Sequence, residues 1–311
     1  MNKLSVIVPV YNEAENIEIF LNRTISTLVK INTDYEIIFI ADPSKDKTEE
    51  LIKQQINKNN KIKLITFSRR FGQPAATMAG IQNCTGERCV IIDCDLQDPP
   101  ELILNMNDKM NEGYDVVLAR RRSRKGETLI KKFITKVGYA FIEKITDIQI
   151  PKDTGDFRII SKKIIENLKQ FKEPNAFLRG LVAYIGFNQT FIDYDRDERS
   201  GGNSKYNRYL GSIKIAFNGI FGFSSRPLFL MAVIGFIFAL LSFLVGIYYI
   251  IIKLIDPTIT PGLSSTILFI TFFSGLNLIG LGLIGEYVGR IYDEVKDRPN
   301  FIIDKKYNFD E

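Results

Sequence analysis

The stretch Val90-Ile91-Ile92-Asp93-Cys94-Asp95-Leu96-Gln97-Asp98-Pro99-Pro100 joins an apolar run to three carboxylates, an amide and two prolines. The apolar run is typical of a buried β-strand, so the polar side chains lie where that strand ends. In an extended chain Asp93 and Asp95 share one face, and Gln97 adds a neutral oxygen on the same side. Such oxygen ligands suit Mg²⁺ or Mn²⁺ bridging to phosphates. The sequence therefore predicts a metal site at a strand end. A strand end that is simply solvated is the alternative interpretation.

Five short apolar runs predict the fold of the first part of the chain. They lie at residues 4–10, 36–40, 63–67, 90–92 and 116–119, and a helical pattern separates each run from the next. Alternating strands and helices predict the α/β class, with a mostly parallel, Rossmann-like, doubly wound sheet. Ligands of such a sheet bind outside the carboxyl ends of the strands, where the segment 93–98 lies.

Two long segments near the end of the chain are almost free of ionisable side chains. Residues 228–252 contain two tyrosines and no other ionisable group, and residues 257–285 contain none. Each segment exceeds the roughly 20 residues needed to cross the apolar core of a bilayer. We predict two transmembrane helices, at about residues 228–252 and 262–285, that form a hairpin. Two buried core helices are the alternative.

The flanking residues predict the orientation of this hairpin. The N-terminus lacks the apolar core and cleavage site of a signal peptide, so the domain that it opens is expected in the cytosol. Basic residues precede the first span and follow the second, whereas the loop between them carries only Lys253 and Asp256. We expect a multi-pass protein of the cell (inner, cytoplasmic) membrane with both termini cytosolic. The predicted parts are a cytosolic α/β domain over 1–205, a juxtamembrane amphipathic helix over 206–226, two spans within 227–290 and a cytosolic tail over 291–311.

Composition narrows the chemistry. The chain has no histidine, which excludes histidine-based catalysis and metal binding and leaves carboxylates, amides, hydroxyls, Arg and Lys. The net charge of +5 is modest, and the basic residues lie near the predicted membrane side, so anionic lipid or phosphate is favoured over nucleic acid as a partner. The three cysteines are interpreted as buried thiols in a reducing compartment.

Polar loops follow the first three predicted strands. They read Pro9-Val10-Tyr11-Asn12-Glu13, Ala41-Asp42-Pro43-Ser44-Lys45-Asp46 and Ser68-Arg69-Arg70-Phe71-Gly72-Gln73. Because the carboxyl ends of parallel strands meet at one edge of a sheet, these loops converge with Asp93 and Asp95. With these loops the chain resembles family-2 glycosyltransferases of the GT-A fold. The similarity is to the polyprenyl-phosphate glycosyltransferases, a group that includes dolichyl-phosphate mannose synthase and the bactoprenol glucosyltransferases.

The resemblance covers essentially the whole chain. Its motifs are Val8-Pro9-Val10-Tyr11-Asn12-Glu13, Arg70-Phe71-Gly72-Gln73, the metal motif from Asp93 to Pro100, Thr154-Gly155-Asp156-Phe157-Arg158 and the terminal hairpin. One departure from the family pattern follows the second strand. The family usually has two aspartates and Gly-Ser there, and this chain has Ala41-Asp42-Pro43-Ser44. The second aspartate remains as Asp42, and a contact from the first is lost.

The resemblance implies a metal-dependent, inverting transfer of a single sugar from a nucleotide-diphosphate sugar, a UDP-hexose such as UDP-glucose, to polyprenyl (undecaprenyl) phosphate of the cell envelope. It implies that Asp42 hydrogen-bonds the base and that Asp93, Asp95 and Gln97 hold Mg²⁺ or Mn²⁺. The implied nucleotide-binding residues are Pro9, Tyr11, Glu13, Asp42, Gln73 and Asp93. The implied catalytic residues are Asp156 and Asp95.

The acceptor side is predicted from Asp156 and from basic residues. Asp156 either positions or deprotonates the acceptor, or it is a structural aspartate in a Thr-Gly-Asp turn. Arg199 and Lys205 lie in a glycine-hinged loop before the first span and suit a lipid phosphate. Arg122 is assigned to the same role, and a solvated basic surface explains it equally well. Arg120 and Arg179 are weaker candidates of the same kind.

Two other functions are compatible with parts of the sequence. A processive polysaccharide synthase shares the nucleotide-sugar motifs, but two spans form no evident polymer channel and the chain has no tryptophan for the Gln-x-x-Arg-Trp motif of that group. A catalytically weak membrane scaffold or nucleotide-sugar sensor is suggested by Ala41. Partners expected for the favoured function are a nucleotide-diphosphate sugar, a polyprenyl phosphate and the lipid bilayer, with a homo-oligomer left open.

Overall fold

The structure is a computed structural model that describes residues 3–122, 151, 154–173, 177–195, 219, 221–256, 258 and 262–309. In chain order the strands are β1 Leu4–Val10, β2 Tyr35–Ala41, β3 Ile62–Phe67, β4 Arg88–Ile91, β5 Val116–Arg121, β6 Thr154–Ser161, β7 Gln189–Tyr194 and β8 Ile303–Tyr307. The helices are α1 Ile17–Ile31, α2 Thr48–Lys58, α3 Gln73–Asn83, α4 Leu102–Asn111, α5 Lys162–Leu168, α6 Leu178–Ile185, α7 Arg226–Ile255 and α8 Leu263–Val295.

One mixed sheet carries all eight of these strands, in the order β7-β5-β6-β4-β1-β2-β3-β8. Strands β1 to β4 are parallel, as are β5 and β7, whereas β6 and β8 run antiparallel to their neighbours. The prediction of a mostly parallel α/β sheet is confirmed. The parallel strands end, and β6 and β8 begin, at one edge, called here the active edge.

Helices cover both faces of the sheet, and each face has its own apolar core. One core includes Val8, Phe39 and Phe157, and the other includes Ile7, Ile40 and Ile160. Because neighbouring residues of a strand point to opposite faces, a strand buried on both faces is apolar throughout. This is why β1 and β2 are nearly continuous apolar runs. Each large side chain fully buried in this way contributes roughly 1.5–3 kcal/mol.

The last strand corrects the predicted domain boundaries. Residues 303–307 lie in the segment 291–311 that was interpreted as a cytosolic tail, yet they pair with β3, with Ile303 opposite Phe67. The backbone N–H of Ser68 also donates to the carbonyl of Ile302 at 3.1 Å. The α/β domain therefore extends beyond residues 1–205 and is completed by the chain end. Only the ends of this short strand are apolar, and charged residues are typical of an edge strand.

The two C-terminal helices are long and apolar enough to cross a membrane. They pack against each other, with the ring of Phe238 edge-on to the rings of Phe272 and Phe273 at 5.8 and 5.7 Å. Their apolar side chains are otherwise exposed along the helices, as lipid-facing residues would be. Both helices exceed the predicted spans of about 228–252 and 262–285. The first starts at Arg226 followed by Pro227, a residue favoured in a first turn, and the second continues through charged residues to Val295.

Both outer ends of this hairpin return to the α/β domain, because strands before and after it share one sheet. Of the predicted juxtamembrane helix 206–226, the structure describes residue 219 and residues 221–226, and residues 221–223 are helical.

Candidate active site

The loops after β1 and β2 are joined by hydrogen bonds. The backbone N–H of Asn12 donates to the Ser44 hydroxyl at 3.0 Å, and the Asn12 side-chain oxygen accepts from the Lys45 N–H at 2.7 Å. The Glu13 N–H donates to the Thr48 hydroxyl at 2.8 Å. These bonds fix the two loops as one surface at the active edge. Three residues predicted to bind nucleotide, Pro9, Tyr11 and Glu13, lie on or directly after β1.

Asp42 holds the loop after β3. Its two carboxylate oxygens accept the backbone N–H groups of Phe71 and Gly72 at 2.8 and 3.0 Å, and the residue is only 4% exposed. Gly72 has a φ of +90°, a backbone conformation that residues other than glycine rarely adopt. The loop after β3 also lies against the loop after β1, since the Arg70 guanidinium stacks 4.0 Å from the centre of the Tyr11 ring.

The carboxylates after β4 have a geometry that sequence reasoning missed. Strand β4 ends at Ile91, and the chain then turns, with Leu96 at a φ of +59°. The extended chain assumed for Asp93, Asp95 and Gln97 is therefore wrong, because the Gln97 N–H folds back to donate to an Asp95 oxygen at 3.1 Å. The Gln73 side chain, at the start of α3, donates to an Asp93 oxygen at 2.7 Å.

This donor set fits a divalent cation that also binds phosphate. Within the described residues no cluster of three or more Cys, Asp and Glu side chains surrounds one point. Asp93 and Asp95 nonetheless supply two partly exposed carboxylates in one turn at the active edge. Mg²⁺ typically takes one or two protein carboxylates and completes its shell with waters and substrate phosphates. The residues present fit that kind of site and do not form a closed protein cage.

Asp156 lies beside this turn and is surrounded by arginines. Strand β6 pairs with β4 so that Arg158 faces Ile91, and Asp156 therefore lies on the same edge as the turn after β4. The Arg179 Nε donates to an Asp156 oxygen at 2.9 Å, and the Arg158 guanidinium is 3.7 Å from the same oxygen. The Asp156 side chain remains 31% exposed. It therefore presents a charged, partly accessible group at the active edge.

The charges around Asp156 determine its protonation. Burial alone would raise its pKa, but the positive charges of Arg179, Arg158 and Arg121 and the hydrogen bond from Arg179 lower the pKa below its ordinary value. Arg158 is 1% exposed and donates to the carbonyls of Gly155 and Asp156 at 2.9 and 3.1 Å. Burial lowers the pKa of Arg158 to about 10, while Asp156 opposes that change, so both groups are charged at neutral pH.

A second charged cluster lies next to Asp156. Asp98 is 2% exposed and accepts a very short hydrogen bond from the Tyr194 hydroxyl. The Arg121 guanidinium is 3.7 Å from the same carboxylate, and its Nε donates to the Tyr194 oxygen at 3.3 Å. Burial, together with the Asp98 charge and hydrogen bond, raises the pKa of Tyr194 well above its usual value. Three arginines thus accompany two carboxylates on this side of the site.

Three consecutive arginines, at the end of β5 and directly after it, have different surroundings. Arg122 is exposed, and Arg120 forms an ion pair with Asp193 at 2.6 Å on the sheet edge. Arg121 between them reaches the site. The period of two could not single out Arg121, because Leu118 and Ala119 are both buried and each is followed two residues later by an arginine. Sequence reasoning also missed buried Arg158 as part of the site. Arg199 and Lys205 lie outside the described residues.

Comparisons with known proteins show which family the chain belongs to. The pattern of Glycosyl transferase family 2 matches residues 5–169. The "Uncharacterized glycosyltransferase YkcC" of Bacillus subtilis is 43% identical over 306 residues, covering 98% of this chain and 94% of that protein. The "SfII prophage-derived bactoprenol glucosyl transferase" of Shigella flexneri is 37% identical, covering 98% of each chain.

A solved structure shares the fold. The mannosyltransferase PcManGT from Pyrobaculum calidifontis, in complex with GDP-Man and Mn²⁺, superimposes with a TM-score of 0.50 at 19% identity, covering 71% of this chain and 63% of that one. The α/β domain is therefore a GT-A fold. The chain belongs to glycosyl transferase family 2, and it is a glycosyltransferase that carries two apolar C-terminal helices.

Proposed function

We propose that the protein transfers one sugar from a nucleotide-diphosphate sugar to a polyprenyl phosphate at the cytosolic membrane surface. The observation that carries this proposal is the cluster of Arg121, Arg158 and Arg179 beside Asp156 and Asp98. This cluster lies next to the turn after β4 that carries Asp93 and Asp95, called here the metal turn. Such a cluster of arginines is suited to binding an anionic acceptor such as a phosphate. The Shigella relative, named a bactoprenol glucosyl transferase, supports a polyprenyl acceptor and glucose as the sugar. Undecaprenyl phosphate as acceptor and UDP-glucose or a related UDP-hexose as donor are our proposal.

The donor diphosphate is assigned to the acidic side of the site. Asp93 and Asp95, with Gln97 nearby, would hold Mg²⁺ or Mn²⁺, and the Mn²⁺ in the archaeal mannosyltransferase supports a divalent cation in this fold. When bound, the cation neutralises charge on the departing nucleotide diphosphate. Asp42 keeps the loop with Arg70 and Gln73 in place beside the nucleotide. The predicted base contact of Asp42 remains a proposal.

The acceptor phosphate reacts directly. Its oxygen forms a bond to the anomeric carbon while the bond from that carbon to the nucleotide diphosphate breaks, which inverts the configuration. The phosphate is ionised near neutral pH, so no base is needed to remove a proton. The lowered pKa of Asp156 makes it a weak base. Its role is therefore to hold Arg179 where it orients the phosphate, while buried Arg158 adds positive charge behind it. Arg122, Arg199 and Lys205 are proposed to attract the lipid headgroup.

The hairpin explains how a soluble nucleotide sugar and a lipid meet. Both outer ends of the hairpin return to one sheet, and the chain re-enters the sheet at the active edge, next to Phe67. This supports a multi-pass protein with both termini on one side, and the basic flanks favour the cytosolic side. The active edge would then stay close to the membrane, where the polyprenyl phosphate is confined.

A transfer assay tests the proposal. The full-length protein in lipid nanodiscs would be incubated with undecaprenyl phosphate and a panel of UDP- and GDP-sugars, with Mg²⁺, Mn²⁺ or excess chelator, and the lipids analysed by mass spectrometry. We expect one sugar per lipid phosphate with a UDP-hexose and no product in chelator. Full turnover in chelator would overturn the metal assignment. Lipids with several sugars would indicate a processive synthase, and nucleotide binding without product would indicate a sensor.

A further inference from the structure

We propose that the juxtamembrane segment, residues 221–224, positions Arg179 in the acceptor side of the active site, so that docking of the hairpin completes this side. Phe223 and Gly180 are the positioning residues. The inference rests on the proposed function, because it assigns Arg179 to the acceptor phosphate. It makes the hairpin a working part of the active site as well as an anchor.

The contact between Phe223 and Gly180 is unusually close. A Cβ atom at position 180 would lie 2.3 and 2.6 Å from ring atoms of Phe223 and 2.9 Å from the ring of Phe177, and real Cβ atoms essentially never approach other atoms closer than 3.0 Å. The rings of Phe177 and Phe223 are 6.4 Å apart and tilted by 59°. Glycine is therefore required for the Phe223 ring to lie directly on the first turn of α6.

That turn also carries Arg179. Helix α6 has only eight residues, and Leu178, Leu181 and Val182 bury its inner face in the core of the sheet. Such a short, packed helix moves as one piece, so a displacement at Gly180 is passed on to its neighbour. The Arg179 Nε to Asp156 distance is 2.9 Å, and a hydrogen bond is largely lost when that distance grows by about 1 Å. Contact at Gly180 thus controls where the Arg179 guanidinium lies.

The juxtamembrane segment is held in turn by the end of α8. The Tyr287 hydroxyl donates to the carbonyl of Ser224 at 2.7 Å, and the Tyr287 ring is edge-on to Phe221 at 5.4 Å. The Arg290 guanidinium lies 5.7 Å from the centre of the Phe221 ring. A continuous series of contacts therefore runs from the hairpin through residues 221–224 to helix α6 and Asp156.

The test uses the full-length protein in nanodiscs with undecaprenyl phosphate. Gly180→Ala places a methyl group against the Phe223 ring, and we expect the acceptor KM to rise about ten- to a hundred-fold, the range lost with one charged hydrogen bond. The nucleotide Kd, measured separately by calorimetry, stays at the wild-type value. Gly222→Ala is the matched control, since its Cβ would meet only Arg290, at 3.9 Å, and the acceptor KM should not change.

A double variant separates positioning from a loss of folding. Phe223→Ala alone should raise the acceptor KM several-fold, and Gly180→Ala combined with Phe223→Ala should be close to Phe223→Ala alone, because the nearer of the two rings that meet the new methyl group is gone and the Phe177 ring, at 2.9 Å, can move into the space left by Phe223. The inference is overturned if Gly180→Ala transfers normally, if it weakens nucleotide and acceptor equally, or if the double variant is no better than Gly180→Ala. A wild-type protein that makes no glycosylated lipid would instead overturn the proposed function itself.

Discussion

The donor side and the acceptor side of the site differ in charge and in what holds them. On the donor side, Asp42, Asp93 and Asp95 are acidic, and loops next to them in the same sheet fix their surroundings. On the acceptor side, arginines outnumber carboxylates, and helix α6 with Arg179 is in contact with the segment 221–224 that leads into the apolar hairpin.

This difference indicates how each side meets an anion. A diphosphate approaching two carboxylates is repelled until a cation is present, so we expect the proposed donor side to depend on a cation. A phosphate approaching the arginine cluster is attracted directly, so the acceptor side depends on the geometry of its side chains. Variants on the two sides should therefore fail in different ways, and the following predictions test this distinction.

The largest effect is expected at the metal turn. Asp95→Ala removes a predicted cation ligand and should lower kcat roughly a thousand-fold or more, because a cation supplies several kcal/mol to a departing diphosphate. Asp93→Asn should be milder than Asp93→Ala, since the amide keeps one oxygen. Transfer rates over a Mn²⁺ titration would check this. Asp108→Ala, at an exposed position on α4, is the control. Normal activity of Asp95→Ala would contradict the assignment of the cation to this turn.

The second effect concerns Arg179. Arg179→Ala should raise the acceptor KM about ten- to a hundred-fold and leave the nucleotide Kd unchanged, because it removes the guanidinium that Asp156 holds toward the acceptor phosphate, and one charged hydrogen bond is worth this range. Arg120→Ala is a matched control, as Arg120 and Asp193 form a comparable but more exposed ion pair, worth roughly 0–1 kcal/mol. If nucleotide affinity fell with Arg179→Ala while acceptor use stayed normal, the two sides would have been assigned the wrong way round.

The third effect concerns Asp42, which lies on the donor side but is not one of the predicted cation ligands. Asp42→Asn leaves one acceptor oxygen for two backbone N–H groups, so the loop with Phe71 and Gly72 should loosen and nucleotide binding should weaken roughly ten-fold. Calorimetry with UDP and hydrogen exchange of the two amides would measure this. Unchanged protection of these amides together with altered preference among nucleotide bases would favour the direct base contact implied by the family resemblance.

The smallest effect on activity is expected far from both sides, at Glu36. This residue is 1% exposed and accepts hydrogen bonds from Ser5 and Thr85, with Lys3 and Lys63 3.1 and 3.0 Å away. Burial would raise its pKa, but these partners lower the pKa from 4.5 to about 2. A lowered folded-state pKa stabilises the fold fully above about pH 4.5, and this stabilisation is lost as pH falls toward 2.

Glu36→Gln should therefore lower the free energy of unfolding by roughly 3 kcal/mol at neutral pH and by progressively less below pH 4.5. Thermal unfolding of the wild type and the variant across this pH range would measure the difference. Kinetic constants of the folded variant should remain normal, because Glu36 lies at the edge of the sheet opposite the active edge. A difference in stability that does not depend on pH would contradict this interpretation.

Sequence patterns predicted the elements whose signal is local. The apolar runs of β1 to β5, the alternation with helices and the charge-free segments within the two C-terminal helices each depend on neighbouring residues, and the structure has all of them. Strand β8 could not be predicted in this way, because its short, charged sequence becomes a strand only by pairing with β3, more than 230 residues earlier in the chain. The arrangement of the site was harder still. The turn at Asp93 and the burial of Arg158 depend on packing between strands.

The C-terminal strand has a consequence for how the protein is made. It is synthesised after the hairpin, so until it arrives the β3 edge and the Phe67 ring, which stacks on Phe301 at 5.4 Å, are left uncovered. A chain cut near Phe223 therefore lacks a sheet strand as well as its membrane helices. A chain whose hairpin inserted with its ends on opposite sides of the bilayer would also lack this strand in its sheet, since β8 would lie on the far side of the membrane from β3. Only a molecule whose two hairpin ends lie on the same side can close its sheet, and a copy with the β3 edge left open is expected to be prone to aggregation.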